Sequence, residues 1–475
     1  MKRALLLGAI ACFASVAAGC SCTTAGNFKE CATDFDCGSA TACSQGYCLP
    51  LPAGCRREEA GGMRKAFEEP ARIPLVALLP IHDDPDSGFD DSEVQSVNAM
   101  KLAISQANDV LKLERGLFGL FVCDTGLAGI DAGIESQAAW FVTNLKVPAF
   151  LISSSGPTGA IAKLEVRIDA GTLIISPNAT NPSLTTIFRN DGNVWRVAPP
   201  DDYQAIVVAK LIKADYPDAG PMPVAILHPT SAYGNGFANP LKAELDSRGF
   251  AATLFPYDKN DPNSRNIAAN GVANLAPKAT VLIGNPADVV PLVERAVTFP
   301  VLTKANGHQW YLTDSAKDPA VLTTVTRPQF EGSVGTAPAQ GAGMAFATFR
   351  DGFTLRYGID PSSTNYVSHS YDATWMVMLA AQYAEGKDPA DRTKVTGPKL
   401  AEGMALFAAN TGPAIPLRAD KWDELATSMA NATPTNIEGT SGQLDLILDA
   451  GFPMSPYEVW QVSDGGIRVL RLTTP

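Results

Sequence analysis

Short β-branched runs alternate with amphipathic helical stretches across residues 73–312, and this alternation constrains the fold more than any other feature of the chain. Residues 73–79 (IPLVALL) are apolar throughout, the pattern of a strand buried on both faces. After an acidic loop, Val97, Met100, Ile104, Ala107 and Leu111 recur at helical spacing. Further strands are expected at 120–123, 149–152, 172–175, 223–227, 252–255, 280–283 and 310–312. Helices are expected between most of them, at 134–145, 202–215, 238–248, 266–275 and 288–298. Strand, helix, strand in this order predicts an α/β chain with parallel sheets covered by helices on both faces. Ligands on such sheets bind outside the carboxyl ends of the strands, so the loops that follow the strands carry the chemistry.

The amino terminus sets the compartment. Lys2 and Arg3 precede an apolar run, 4–18, that is too short to span a bilayer comfortably, and small residues lead into Cys20. Residues 1–19 therefore read as a secretory signal. The ending Ala17-Ala18-Gly19-Cys20 resembles the lipobox of bacterial lipoproteins, with Ala17 where a leucine is usual. That resemblance implies that Cys20 becomes the lipid-modified first residue of the mature chain; an ordinary cleaved signal that ends near a cysteine is the alternative. Acyl chains would hold the protein on a bacterial membrane, facing an extracytoplasmic, periplasmic-side space. No second apolar run reaches membrane-spanning length, so attachment is expected through the lipid alone.

Six of the nine cysteines cluster: Cys22, Cys31, Cys37, Cys43, Cys48 and Cys55. A segment this short cannot bury a core of its own, so the cluster reads as a disulfide-stapled module with its tether over 20–58. Zinc is the competing reading, but no histidine lies nearby and there is no CxxC pair, so no metal is expected. Cys123, within the apolar stretch 117–123, reads as a buried free thiol. Residues 59–72 are charged and rich in small residues, as in a linker, and the remaining chain is long enough to divide into two lobes. The net charge of −12 argues against nucleic acid, or an anionic membrane surface, as a partner.

The loops after the strands carry an ordered series: SSS at 153–155, IISPNATNPSLT at 174–185, VWRVAPPDDYQA at 194–205 and AILHPTSAYGNGF at 225–237. EGSVGTAP at 331–338, SYDATWMVMLAA at 370–381 and EGTSGQLDLILDAG at 438–451 complete it. Taken together, in order and spacing over residues 73–463, these motifs resemble the branched-chain amino-acid (leucine/isoleucine/valine) binding proteins, a family of type I periplasmic binding proteins. The resemblance implies two α/β lobes, a ligand cleft between them and a three-segment hinge. Crossovers at 197–200, 332–336 and 444–449 would give one lobe of 73–198 with 337–442, and another of 199–336 with 443–475.

In that family a hydroxyl of the serine run and the threonine of the S-P-x-A-T motif hold the ligand, which points here to Ser153 and Thr180, with Asn178 offering a carbonyl to an ammonium group. The connection after the serine run is longer than usual, so Ser154 or Ser155 can take the place of Ser153. Capping of the next helix by Ser176 and Thr180 is a compatible reading, since a helix N-terminus is itself a carboxylate site. Tyr233, between Ala232 and Gly234, matches the tyrosine that closes over the ligand. Asp314 matches the acidic residue that pairs with the ligand ammonium, and reads equally as a loop aspartate capping the following segment. Asn285-Pro286 stands where some relatives have a second tyrosine, and the loop 82–91 is far more acidic than the usual Gly-rich one. That loop lacks an ordered calcium pattern and reads as solvated.

No G-x-S-x-G elbow, H-E-x-x-H or G-x-x-x-x-G-K-[ST] appears, and His82, His228, His308 and His369 are scattered without metal-ligand spacing. The chain is expected to be a binder without a cofactor, not an enzyme. Transport, with an ABC permease as partner and an amino acid as small-molecule ligand, is the first reading. A lipid-anchored sensor or protein-binding envelope scaffold of the same fold is the second.

Overall fold

A computed structural model describes residues 28–59, 64–69, 72–82, 90–111, 117–127, 131–218, 220–386, 392–408 and 412–475. Cys20, Cys22 and the signal segment lie outside the described residues. The described chain opens with a hairpin, β1 (Thr41–Ser44) and β2 (Tyr47–Pro50), stapled by disulfides Cys31–Cys43 and Cys37–Cys48.

The first sheet is built from β3 (Cys55–Arg57), β4 (Ile73–Leu79), β5 (Phe118–Asp124), β6 (Ala149–Ile152), β7 (Leu173–Ser176) and β8 (Val194–Arg196), in the order β3-β5-β4-β6-β7-β8. All neighbours are parallel except β3, which runs antiparallel to β5. Helices α1 (Arg64–Glu68), α2 (Asp91–Val110), α3 (Asp131–Leu145), α4 (Ser155–Ala162), α5 (Glu165–Ala170) and α6 (Leu184–Asp191) intervene. Period-two alternation explains how one strand serves two cores. Ile73, Leu75, Ala77 and Leu79 enter one cluster, while Val76 and Leu78 enter the other.

After α7 (Asp201–Asp215) comes β9 (Pro223–Pro229), then α8 (Ala232–Ser247), β10 (Ala251–Tyr257), α9 (Pro262–Leu275), β11 (Ala279–Leu282), α10 (Pro286–Ala296), β12 (Gln309–Leu312), α11 (Arg327–Phe330) and β13 (Val334–Pro338). The chain returns to the first core through α12 (Met344–Tyr357) and α13 (Val367–Glu385), then α14 (Gly397–Met404) and α15 (Trp422–Ala430). The short strand β14 (Ile415–Pro416) lies between α14 and α15, and β15 (Ile437–Gly439), β16 (Gly442–Gln443), β17 (Leu446–Ile447) and β18 (Phe452–Pro453) follow α15. The last two strands, β19 (Tyr457–Ser463) and β20 (Gly466–Thr473), close the second sheet, β10-β9-β11-β12-β13-β19-β20, as antiparallel neighbours. Residues on β9 alternate between two cores in the same way, with Ala225 and Leu227 on one side and Val224 and Ile226 on the other.

Three expectations change. Cys123 is not a free thiol: it is bonded to Cys55, because the antiparallel pairing of β3 and β5 puts these two residues directly opposite one another. Cys55 is thus not part of the hairpin's own staple. The stretch 59–72 does not behave as a linker where it is described. Ala66 and Phe67 are buried, Phe67 meets Phe121 edge-on at 5.5 Å, and Arg72 forms an ion pair with the buried Asp34. Finally, Leu444 and Leu446 pack in the first core, and the chain joins the second sheet only at Tyr457, later than the sequence boundary at 443. Thiols of Cys31, Cys37 and Cys43 lie close together, but all three are committed to disulfides.

Candidate functional site

A cavity of about 360 Å³ lies where the carboxyl ends of the two sheets face each other. From the first lobe it is lined by Asp90, Ser92 and Glu93 at the start of α2, by Ser154 and Ser155 at the start of α4, and by Asn178 after β7. From the second lobe come Ser231 and Tyr233 at the start of α8, Asn285 and Asp288 at α10, and Asp314, Ser315 and Asp318 after β12. Asn365 and Tyr366, just before α13, complete the wall. Local capping fixes these entries. Asp90 accepts from the N–H groups of Ser92 and Glu93, Ser231 Oγ accepts from Gly234 N–H, and Asn285 Oδ1 accepts from Asp288 N–H.

Ser153 is fully buried behind the lining and donates to Glu93 Oε1 at 2.6 Å while accepting from Asn178 Nδ2 at 2.7 Å. Asn178 Oδ1 in turn accepts the Ser154 N–H at 2.7 Å. This network holds Ser154 at φ +73°, ψ 148°, a strained conformation for a residue with a Cβ, at the mouth of α4. Thr180 is also fully buried and does not line the cavity; its carbonyl accepts the Asp201 N–H at 2.8 Å. Of the six residues singled out by sequence, Ser154, Asn178, Tyr233 and Asp314 share the lining, and Ser153 and Thr180 stand behind it.

Asp314 is the most elaborated group. Its Oδ1 accepts from Tyr233 Oη at 2.8 Å and Gln204 Nε2 at 3.3 Å, and its Oδ2 accepts from Tyr366 Oη at 2.6 Å. Tyr366, at φ +63°, caps the start of α13, which packs in the first core, so this bond crosses the cleft. Burial pushes the Asp314 carboxyl above its ordinary range, opposed by the phenol donors. Asp201, buried beside it, is pushed up well above that range by burial and by the charge of Asp314. Tyr233 and Tyr366 are raised in the same way, so both phenols stay protonated as donors. The lobes also meet where Asn181 Nδ2 donates to Ala232 O. Gly236 makes this approach possible: a Cβ there would lie 2.8 Å from the Asn181 side chain.

Sequence reasoning missed Glu93, Gln204, Asn365 and Tyr366. Gln204 stood inside a recognised motif, VWRVAPPDDYQA, which was the available signal. The positive φ of Tyr366 leaves no mark in the sequence. His228, His308 and His369 are buried, and burial lowers all three, His308 to about 4 and His369 to about 3, so they sit as neutral core groups.

A model of the receptor-family ligand-binding region matches residues 95–465. The chain belongs to this family. The chain is similar to the chemotactic signal transduction system substrate-binding protein BasB of Halobacterium salinarum, 25% identical over 67% of this chain and 70% of that one. Leu/Ile/Val-binding protein homolog 2 of Brucella abortus is 34% identical over 22% of this chain and 27% of its own length. The fold is that of the type I periplasmic binding proteins. The leucine-binding protein LivK of Thermotoga maritima superposes with a TM-score of 0.65 at 15% identity, covering 85% of this chain and 99% of that one. An ABC-transporter solute-binding protein of Rhodopseudomonas palustris in complex with 3,4-dihydroxybenzoic acid gives 0.63 at 15% identity, covering 85% and 98%. The relatives and structural neighbours named here are binding proteins.

Proposed function

We propose that the protein captures an amino acid, or a similar small polar ligand with free amino and carboxylate groups, in the interlobe cavity and delivers it to an ABC importer. The observation that carries this reading is Asp314, a carboxylate set in the cavity wall by three side-chain donors, opposite a wall of hydroxyls and helix N–H groups. Asp314 pairs with the ligand ammonium, the start of α4 with Ser154 receives the ligand carboxylate, and Tyr233 closes over it. Asn178 presents its carbonyl to the ammonium, while Ser153 and Thr180 hold the lining from behind. Native mass spectrometry of gently purified protein, followed by calorimetry against amino acids, short peptides and benzoates, tests the reading. Binding of benzoates alone would overturn it.

The raised carboxyl of Asp314 gives this site a distinctive pH response. The ligand ammonium requires the ionised form, so binding favours proton release from the Asp201–Asp314 pair. Affinity is expected to fall on acidification at a pH above the ordinary carboxylate range, and the binding heat to depend on the ionisation enthalpy of the buffer. Calorimetry in two buffers of different ionisation heat checks this, and equal heats would remove Asp314 as the ammonium partner.

The anchor is a second part of the proposal. Metabolic labelling with a fatty acid is expected to mark the wild type and not Cys20→Ala; labelling that survives the substitution would rule the anchor out. A sensor role without transport is the alternative, supported by the similarity to a chemotactic substrate-binding protein.

A further inference from the structure

We infer that the ligand of this cleft carries a second cationic group, an ammonium or guanidinium, held between Asp318 of one lobe and Asp90 of the other. The inference rests on the proposed binding of an amino-acid ligand and names its side-chain class.

The described lining contains five carboxylates, Asp90, Glu93, Asp288, Asp314 and Asp318, against two ammonium groups, Lys259 and Lys317. Lys317 is buried and ion-paired with Glu458, so it is already compensated from outside the cavity. Among the described lining residues Ile134 is the only branched aliphatic one, the remaining non-aromatic apolar contacts coming chiefly from prolines. A leucine-like side chain would therefore find little apolar surface to replace water, and would desolvate carboxylates without pairing them.

An independent observation points the same way. Asn365 is 6% exposed and lines the cavity; its Nδ2 donates to Asp314 O at 3.3 Å, while its Oδ1 receives no donor among the described residues. A buried acceptor left without a donor suits a ligand rich in N–H groups. Asp90 and Asp318 each spend Oδ1 on the cap of their own segment, Asp90 on Ser92 and Glu93 and Asp318 on Ala320. Asp90 and Asp318 line the same cavity from opposite lobes, and burial raises the Asp318 carboxyl, with the negative charges of Asp90 and Asp91 adding to the rise. A cation between them would turn that repulsion into the contact that favours closure.

The test is calorimetry on the full mature chain with L-arginine, L-lysine, putrescine, L-leucine and calcium chloride, using the wild type, D318N and D90N. Asparagine keeps the capping oxygen at both positions, so both variants are expected to fold. L-arginine or L-lysine is expected to bind at least about tenfold more tightly than L-leucine, and D318N to remove that advantage. Equal or tighter binding of L-leucine would overturn this inference and leave the amino-acid reading intact. Binding of putrescine without any amino acid would do the reverse. Loss of no more than twofold for basic ligands in D318N, heat from calcium chloride that D318N abolishes, or no heat from any probe would each overturn it.

Discussion

Asp314→Ala is expected to abolish measurable capture of the ligand, at a cost on the order of 2–5 kcal/mol, or more than tenfold in affinity. The physical reason is asymmetric. The wild-type carboxylate is already buried and supplied with donors from Tyr233, Tyr366 and Gln204, so much of its organisation is complete before the ligand arrives. Without it, the ligand ammonium loses the carboxylate organised to pair with it, and two phenols lose their acceptor. Thr180→Ala is expected to weaken binding far less, since that hydroxyl stands behind the lining, and the exposed Lys163→Ala to change nothing. Asp314→Asn, which keeps the side-chain shape, separates charge from packing: it should melt close to the wild type and still lose binding. Calorimetry together with thermal melting reads both quantities. Wild-type affinity in Asp314→Ala would sink the assignment.

Removing everything before residue 72 is expected to destabilise the protein severely. The sequence reads this boundary as a tether, but the structure ties it into the first lobe at four places. Cys55 is bonded to Cys123 across a sequence separation of 68, β3 forms the edge of the first sheet, Phe67 is 1% exposed in its core, and Asp34 pairs with Arg72. A loop of that length gives a crosslink worth roughly 4 kcal/mol by the chain-entropy account. Losing a buried phenylalanine adds roughly 3–5 kcal/mol. These contributions do not add simply, because Phe67 and the disulfide share β5 as a neighbour, but either is a large part of the stability of a typical domain. A chain starting at residue 72 with Cys123→Ser is expected to melt at least about 10 °C lower than the mature protein, or to fail to fold. An unchanged melting curve would show that the amino-terminal segment is separable after all.

The disulfide also bears on the cleft. Cys123 is followed by Asp124, which pairs with His82 and accepts the Gly126 N–H, and Thr125 and Gly126 line the cavity. The amino-terminal segment thus braces the strand that ends at the site. Nothing in the spacing of the clustered cysteines foretold this, because the partner lies on a distant strand and only the β3–β5 register makes them neighbours.

Local pattern was enough for the α/β architecture. The strand at Ile73–Leu79 and the helix over Asp91–Val110 follow from side-chain periodicities of two and 3.6, which depend on residues a few positions apart. The ordered loop motifs likewise led to Asn178 and Tyr233, and the position after the strand expected at 310–312 led to Asp314, since each sits directly after a strand or at a helix start. The surroundings of those residues required the packed chain. Gln204 and Tyr366 reach Asp314 from positions 110 and 52 residues away, and Asp318 lines the same cavity as Asp90 from the other lobe. Burial, the pKa of a carboxyl and the net charge of a cavity are sums over groups brought together by packing, so they have no local signature. Periodicity placed the walls, and the long-range closure of two lobes determined what those walls can hold.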